Sequence, residues 1–226
     1  MDKLVLFDID KTLIDRSICH HVAFSYAFKE VYGVTIDISI INYAGMTDPQ
    51  IAVEVLKRVG LDENLIKSKL DKCMDAVVDY FKENVEREDI PALDGAKELL
   101  DALENNVIIG LITGNLEPIA LEKMRKAGLS HYFQVGGFGS DNINRAELVK
   151  TAIKRAKDIH GFNGSEVFVF GDTPRDINAG LEAGAKSIGV ATGKYSKKEL
   201  KDSGADFVFD NLKDKEKIVE IIFKTS

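Results

Sequence analysis

The sequence predicts an α/β fold, in which a parallel β-sheet is flanked by helices and one block of helices is inserted early in the chain. From about residue 92 onward, short apolar runs alternate with segments of helical periodicity, which is typical of right-handed βαβ units. The apolar runs are nearly continuous, as expected of parallel strands that are buried on both faces.

The predicted elements follow one another in a regular order. A first strand precedes the helical block, and the other strands and helices alternate after it. Strands are predicted at residues 4–7, 107–112, 133–135, 167–170, 187–190 and 207–209. Helices of the alternating part are predicted at residues 95–103, 117–127, 145–159, 175–183, 197–200 and 213–223.

Residues 17 to about 90 interrupt the alternation with long helical patterns and without convincing strands. The segment IDISII at 36–41 is ambiguous and fits either a helix extension or an irregular connection. The helices of this block are predicted at residues 18–31, 49–59 and 65–85.

Two hinges are expected where the chain enters and leaves this block. They lie near residues 14–17 and 88–93, and Pro91 favours a boundary at the second hinge. We therefore predict two domains, with ranges of 1–15 and 91–226 for the α/β core and 16–90 for the helical domain.

Composition narrows the classes of function. With 226 residues, 45% of them hydrophobic, the chain suits one large or two small globular domains. A net charge of −7 makes it a poor general binder of nucleic acid, and no apolar run is long enough for a membrane span. The N-terminal segment is unlike a secretory signal, so we expect a cytoplasmic protein. Cys19 and Cys73 form no CxxC pair, and zinc or redox chemistry is not indicated.

Polar and acidic residues follow three of the predicted strands. The first strand runs into Asp8 and Asp10, the second into TGN at 113–115, and the fourth into GDTPRD at 171–176. Taken singly, each group has a structural explanation: an Asx turn, a helix capped by Asn115, or a capped and charge-complemented helix. Since ligands bind at the carboxyl ends of strands in open parallel sheets, their joint occurrence favours one common site.

The chemistry expected at this edge is phosphate binding with a metal ion. Holding the carboxylates of Asp8, Asp10 and Asp172 close together costs free energy unless a cation lies among them. Oxygen ligands of this kind suit Mg²⁺. Residues 113–114 are expected to open a helix, and Pro174 to stand near the first position of the next one. Free backbone N–H groups at such helix starts can receive an anion.

The motifs resemble those of the haloacid dehalogenase-like (HAD) hydrolase superfamily. The matching segments are FDIDKT at 7–12, LITGN at 111–115 and VFGDTPRD at 169–176. The helical block lies where that family inserts its C1-type cap, and YAGMTD at 43–48 is similar to the substrate-facing cap loop of phosphoglycolate phosphatase-like members. The resemblance implies a Rossmann-like core with a C1 cap. It also implies a phosphatase that acts on a small phosphate ester, as a monomer or homodimer.

The resemblance implies roles for the motif residues. Asp8 would be the nucleophile that forms an aspartyl-phosphate, and Asp10 the general acid and base. The acid role requires surroundings that raise the pKa of Asp10, whose backbone carbonyl would also ligate Mg²⁺. Thr113 would hydrogen-bond the transferring phosphoryl group, with Gly114 and Asn115 as further phosphate-binding residues.

The remaining roles involve the last motif and a basic residue. Asp172 would share Mg²⁺ with the nucleophile, and Asp176 would ligate through water or orient the basic residue. Most family members carry a lysine as that basic residue. Here the favoured candidate is Arg145, at the start of a predicted helix, and Lys150 is the second. Lys11 stands where many phosphatases have glycine, and no role is assigned to it.

Substrate choice is expected to depend on the helical block. The candidates, which flank the hinge or the GMT loop, are Arg16, His20, Tyr43, Thr47 and Gln50. The alternative for each is an ordinary surface or packing role. His20 and His21 do not suggest a metal pair, because adjacent residues do not share a helix face.

Several functions stay open at this point. Asp10 disfavours a hydrolytic dehalogenase, which in this superfamily lacks that aspartate. Phosphoglycolate is the substrate suggested by resemblance, and other small phosphomonoesters fit equally well. A sugar phosphomutase of the β-phosphoglucomutase type shares the motifs, and a non-catalytic phosphate-binding scaffold is a further alternative. A receiver-like protein is disfavoured by the length of the chain and by the helical block.

Overall fold

Six parallel strands form one sheet within residues 2–164 and 166–224, which the computed structural model describes. They are β1 (Lys3–Phe7), β2 (Ile108–Thr113), β3 (Val135–Phe138), β4 (Glu166–Gly171), β5 (Lys186–Val190) and β6 (Phe207–Phe209). Their order in the sheet is β3-β2-β1-β4-β5-β6, and every neighbouring pair is parallel. The predicted α/β class is confirmed, and β1 lies centrally between β2 and β4.

The central strand is apolar throughout because helices cover both faces of the sheet. Val5 and Phe7 belong to one cluster of buried side chains, and Leu4 and Leu6 belong to another. Phe7 stacks on Phe170 of β4 with ring centroids 4.6 Å apart. Burial of each such side chain contributes about 2 kcal/mol, so the residues that follow β1 extend from a firmly packed strand.

Strand β3 lies later in the chain than residues 133–135, where it was predicted. Gly136 and Gly137 lack the apolar side chains that marked the other strands. A Cβ on Gly137 would lie 2.0 Å from the backbone oxygen of Leu148 in the helix that covers β3. The close approach of that helix therefore requires glycine at residue 137. Because glycine has no apolar side chain, the apolar pattern of the sequence does not indicate a strand there.

Three helices occupy the block between β1 and β2. They are α1 (Ile18–Tyr32), α2 (Asp48–Arg58) and α3 (Glu63–Asn84). Each begins after a residue whose side chain accepts a backbone hydrogen bond, namely Ser17, Thr47 and Asp62. The ambiguous segment at 36–41 contains a short 3₁₀ helix, Ile38–Ile40, rather than an extension of α1.

Six further helices cover the sheet within the described residues. They are α4 (Ala96–Leu103), α5 (Glu117–Lys126), α6 (Arg145–His160), α7 (Pro174–Glu182), α8 (Lys197–Asp202) and α9 (Lys215–Lys224). Pro174 stands in the first turn of α7, as predicted. Helix α5 begins at Glu117, so the expectation that residues 113–114 open it is wrong, and Leu116 stands at the N-cap position that the structural alternative gave to Asn115. None of the described helices combines the length and apolar character needed to cross a bilayer.

Glu88 joins the two segments through which the chain enters and leaves the helical block. Its carboxylate accepts hydrogen bonds from Ser17 Oγ and from the backbone N–H of Ile18, both at 2.6 Å. Nearby, the backbone N–H of Leu93 donates to the carbonyl of Leu13 at 2.8 Å. Both crossings therefore lie side by side. The division into domains at 15/16 and 90/91 stays a prediction.

Candidate active site

A cavity of about 380 Å³ lies where the strand ends meet the helical block. The residues that follow β1, β2 and β4 line one side of it, and α1 and the loop before α2 line the other. The strand-end residues include Asp8, Asp10, Thr113, Asn115 and Asp172. The residues from the helical block include His20, Phe24, Tyr43, Met46 and Ile51. The polar groups predicted to share one edge of the sheet therefore do meet there.

Three carboxyl groups form an acidic cluster at this edge. Asp8 follows β1, Asp172 follows β4, and Asp176 lies in the first turn of α7. One oxygen from each lies within 4.8 Å of the others, and all three side chains are buried. Oxygen atoms grouped in this way suit a hard divalent cation. The acidic cluster can therefore hold a metal ion.

Arg145 is the basic residue that faces the acidic cluster. It begins α6, and its guanidinium forms ion pairs with Asp8 and Asp176. Lys150 is exposed and pairs with Glu147 on its own helix. Of the two candidates for the basic position, Arg145 reaches the site and Lys150 does not.

The acidic cluster is short of positive charge. Burial raises the pKa of Asp8 well above its ordinary value; Arg145 opposes this, and Asp176 and Asp172 add to it. Burial and then Asp176 raise the pKa of Asp172 to about 7. Asp176 Oδ1 is buried, and its ion pair with the Arg145 guanidinium is the contact that offsets its charge. Three carboxyls against one guanidinium leave a deficit that a divalent cation would remove, so these residues fit a metal.

The TGN segment lies between β2 and α5. Thr113 lines the cavity, and its hydroxyl accepts a hydrogen bond from the backbone N–H of Asn115 at 3.2 Å. The carbonyl of Gly114 accepts from the backbone N–H of Asp48 at 2.8 Å, which joins the core to α2. The side-chain oxygen of Asn115 accepts from Lys123 at 2.8 Å. The segment therefore contacts the helical block and a buried lysine as well as the cavity.

Asp10 is paired with Lys123, a residue that the sequence analysis did not select. Lys123 Nζ lies 2.8 and 2.7 Å from the two carboxylate oxygens of Asp10. Burial by itself raises the pKa of Asp10, but attraction to Lys123 and His20, with hydrogen bonds from Lys123 and Asn115, lowers it overall. The expectation that the surroundings raise this pKa is wrong, because a buried cation lies against the carboxylate.

A sequence signal for Lys123 does exist. Helix α5 buries Ile119, Ala120, Lys123 and Met124, which share one helical face. A lysine on a buried apolar face requires a polar partner. Its partner Asp10 is 113 residues away along the chain, so the strand ends alone could not reveal it.

The candidates in the helical block divide into two groups. Arg16, His20 and Tyr43 line the cavity, and the guanidinium of Arg16 lies 5.4 Å from the centre of the Tyr43 ring. Thr47 and Gln50 instead form a capping box at the start of α2, in which each side chain accepts from the other residue's backbone. The structure does not bring those two side chains to the cavity.

Lys11 and His21 have partners outside the acidic cluster. Lys11 has a left-handed backbone with φ of 65° and pairs with Asp15, while its carbonyl accepts from the hydroxyl of Thr192. The ring of His21 contacts Asp37 at 2.8 Å. His21 also lines the cavity, where its ring centroid lies 6.2 Å from that of Tyr43, whereas Lys11 is not among the lining residues.

Comparison with known proteins agrees with this geometry. Residues 5–190 match the family model described as haloacid dehalogenase-like hydrolase. A pyrophosphatase PpaX from Oceanobacillus iheyensis is 23% identical, over 94% of both chains. A phosphoglycolate phosphatase from Vibrio parahaemolyticus is 24% identical, over 97% of this chain and 96% of the other. The crystal structure of a hydrolase from Pseudomonas syringae has a similar fold, with a TM-score of 0.73, 21% identity, and coverage of 98% and 99%.

The chain belongs to the haloacid dehalogenase-like hydrolases, since the family model spans most of its length. Within that family it is a phosphatase-type enzyme, which hydrolyses phosphate ester bonds. The fold, the acidic cluster and the basic residue at the start of α6 are consistent with this class.

Proposed function

We propose that the enzyme is a Mg²⁺-dependent phosphatase that hydrolyses a small phosphomonoester through an aspartyl-phosphate. The observation that carries this proposal is the buried group of Asp8, Asp172, Asp176 and Arg145 at the end of the central strand. It offers a carboxylate nucleophile, two carboxylates that can share a cation with it, and a guanidinium that can bind phosphate.

The acidic cluster would hold the metal ion. Asp8, Asp172 and Asp176 would supply side-chain oxygens, and Asp10 its backbone carbonyl. Mg²⁺, when bound, neutralises the charge that develops on the phosphoryl group during transfer. The raised pKa values of Asp8 and Asp172 support this assignment, because carboxyls that are costly to ionise alone gain from a divalent cation.

The phosphoryl group would be bound by Thr113, Gly114, Asn115 and Arg145. Arg145 Nε is buried and, among the described residues, has no hydrogen-bond acceptor. A buried guanidinium donor without an acceptor is costly, and a phosphate oxygen would satisfy it. This unsatisfied donor supports an anion site beside Asp8.

Hydrolysis would take place in two displacements at phosphorus. Asp8 attacks phosphorus, the bond to the leaving oxygen breaks, and Asp10 gives that oxygen its proton. Water then attacks the aspartyl-phosphate and loses a proton to Asp10, which frees inorganic phosphate and the Asp8 carboxylate. The lowered pKa of Asp10 suits the second displacement, and the negative charge of a bound substrate would raise it for the first.

Residues 16–90 would act as a cap that covers the leaving group. Arg16 and Tyr43 would contact that group, because they line the cavity on the side of α1 and of the loop before α2. His20 also lines the cavity, but its two ring nitrogens face Lys123 and Asp48. Phosphoglycolate and pyrophosphate are candidate substrates through the names of the relatives. Other small phosphate esters are compatible with the same cavity. The enzyme would act as a monomer or a homodimer.

The test is phosphate release from a panel of phosphate esters, measured with Mg²⁺ for the wild type and for Asp8→Asn. We expect wild-type activity on at least one ester and a loss of at least about 10³-fold in the variant. Asp158→Asn, which changes an exposed carboxyl on α6, is the matched control and should retain full activity. Equal activity of wild type and Asp8→Asn across the panel would refute the proposed enzyme.

Removal of the metal ion tests the Mg²⁺ assignment separately. EDTA should abolish phosphate release, and added Mg²⁺ should restore it. Activity that persists undiminished in EDTA would contradict the metal site. A labelled bisphosphate intermediate formed from a sugar phosphate would instead support the phosphomutase alternative.

A further inference from the structure

Lys123 is a buried cation whose contacts reach beyond the acid and base residue. It lies on α5, and its side chain is excluded from solvent. Besides the two oxygens of Asp10 and the oxygen of Asn115, Nζ lies 3.1 Å from His20 Nδ1. An ammonium group has three N–H donors, and these four atoms together occupy all of them.

These contacts also determine which ring nitrogen of a neutral His20 carries the proton. Because an ammonium has no acceptor, Nδ1 must accept from it, and the ring proton of a neutral His20 is then on Nε2. Nε2 lies 3.2 Å from a carboxylate oxygen of Asp48, a close polar contact that lacks the geometry of a hydrogen bond. A continuous chain of polar groups therefore runs from Asp10 through Lys123 and His20 to Asp48.

The two ends of this chain belong to different parts of the fold. Asp10 and Lys123 lie in the core, whereas His20 is on α1 and Asp48 begins α2. The same Asp48 oxygen accepts from the backbone N–H of Leu116 at 2.8 Å. The contacts that seat the helical block on the core thus lead directly to the carboxylate of Asp10.

We propose that Lys123 is a positioning residue that fixes the orientation of the Asp10 carboxylate, and that His20 makes this orientation depend on the seating of the helical block. Contact with both oxygens of Asp10 restricts rotation of that carboxylate about its last bond. The acceptor on His20 restrains Lys123 only while α1 lies against the core. The inference rests on the proposed phosphatase activity, in which Asp10 transfers the protons.

The energetics distinguish this arrangement from an ordinary packing interaction. A buried ion pair contributes little net stability compared with apolar side chains of the same volume. The other buried residues of α5, which include Ile119 and Met124, are apolar. The lysine is explained by what its charge does to Asp10 rather than by the stability of the fold.

The first experiment compares Lys123→Met with Lys126→Met on the ester that the wild type hydrolyses best. Methionine keeps the length of the side chain and removes the charge. Lys126 lies three residues further along α5 and pairs with Glu86 outside the cavity. We expect kcat of Lys123→Met to fall by about 10²-fold with KM changed by less than about 3-fold, because general acid–base catalysis contributes about 10²- to 10⁴-fold. Lys126→Met should retain the wild-type kcat.

The second experiment places Lys123→Met in an Asp10→Asn background and uses an activated aryl phosphate, so that residual turnover can be measured. If Lys123 acts through Asp10, the double variant should be as fast as Asp10→Asn alone. The same fold loss in both backgrounds would overturn the proposal, and so would a wild-type kcat for Lys123→Met. Either result is distinct from failure of the proposed function, in which the wild type would be no faster than Asp8→Asn.

His20→Phe tests the link to the helical block and does not depend on the folding of Lys123→Met. His20 lies among Phe24 and Phe81, with ring centroids 5.4 and 5.8 Å away, so phenylalanine fits the same aromatic surroundings. We expect a loss in kcat of about 10-fold, and no further loss in the Asp10→Asn background. Unchanged kcat in His20→Phe, or an equal loss in both backgrounds, would overturn the link.

Discussion

Asp8 shares its surroundings with two further carboxyls and one guanidinium, whereas Asp10 faces a lysine ammonium, an imidazole and an amide. The two residues are separated by one position; Asp8 is buried, and the side chain of Asp10 is 25% exposed. Burial favours the protonated form of each carboxyl, but the charge around each differs. The pKa of Asp8 is therefore raised, and the pKa of Asp10 is lowered.

The difference shows that negative charge is balanced in different ways in the two halves of the site, which are the surroundings of Asp8 and the surroundings of Asp10. The Asp8 half has an excess of negative charge that bound protons, as the raised pKa values of Asp8 and Asp172 indicate, or a cation from solution can balance. The Asp10 half is balanced by Lys123, a residue of the chain itself. Under the proposed function, the Asp8 half would therefore respond to the metal concentration, whereas the Asp10 half depends on how the helical block and α5 are packed.

Removal of the guanidinium from the Asp8 half should have the largest effect on activity. Arg145→Met leaves the acidic cluster without the basic residue that pairs with two of its members. We expect kcat/KM for phosphate release to fall by about 10²- to 10³-fold, because a positioned donor to the transferring group is lost. Lys150→Met, on the same helix, should be unaffected. Equal losses in the two variants would show that Arg145 does not serve the site.

The pH dependence of stability should separate the two halves when metal is removed. The pKa of Asp172 is raised from 3.8 to about 7, so between these values the folded protein binds a proton that the unfolded chain has released. The free energy of unfolding contributed by this group must then fall as the pH rises through that window. In EDTA we expect the melting temperature of the wild type, relative to Asp172→Asn, to fall by at least about 4 °C between pH 5 and 8.

Magnesium provides the control for that measurement. At pH 8, added Mg²⁺ should raise the melting temperature of the wild type more than that of Asp172→Asn, because the variant lacks one metal ligand. Parallel pH profiles of the two proteins in EDTA would contradict the raised pKa. An equal response of both to Mg²⁺ would contradict the role of Asp172 as a ligand.

A methyl group on Gly114 should disturb the contact between the core and the helical block. A Cβ at this position would lie 2.1 Å from the backbone oxygen of Met46, so the loop before α2 must move away. We expect Gly114→Ala to lower kcat/KM by about 10- to 100-fold through misplacement of groups that close over the substrate. Gly128→Ala is the control: an added Cβ there has no atom within 4 Å, but the φ of 70° is unfavourable for alanine. This variant should lose stability and keep its activity. Wild-type activity in Gly114→Ala would show that the seating of the block is not needed.

The smallest effect is expected at Thr47, which the sequence suggested as a substrate contact and which caps α2 in the structure. Thr47→Ala should lower the free energy of unfolding by about 1 kcal/mol, the usual cost of a lost N-cap, and leave kcat unchanged. Asp62→Ala, which removes the cap of α3, is the matched control. A loss of activity confined to Thr47→Ala would restore its place among the substrate-binding residues.

Most of the fold could be predicted because its signals are local. Continuous apolar runs marked β1, β2, β4, β5 and β6, and helical periodicity located the helices to within a few residues. β3 was predicted at residues 133–135 and lies at Val135–Phe138, because Gly136 and Gly137 carry no apolar side chain and the close approach of Leu148 requires glycine at 137. The acidic residues of the site were also visible, because each directly follows a strand or opens a helix at one edge of the sheet.

The partners of those acidic residues could not be predicted in the same way. Arg145 and Lys150 are both basic and lie near the start of one helix, and only the direction of each side chain separates them. For Lys123, its place on the apolar face of α5 signals that it needs a polar partner, but the sequence does not show that this partner is Asp10.

The sequence by itself determined the α/β class, the order of its elements and the place of the carboxylates at the strand ends, since periodicity and strand termini are properties of neighbouring residues. Only the tertiary structure decided the charge around each carboxylate. Arg145 reaches Asp8 across 137 residues and Lys123 reaches Asp10 across 113, contacts that depend on how helices pack against the sheet. Because a buried carboxylate responds mainly to the charges within a few ångströms, that packing gives two aspartates of one short motif opposite surroundings.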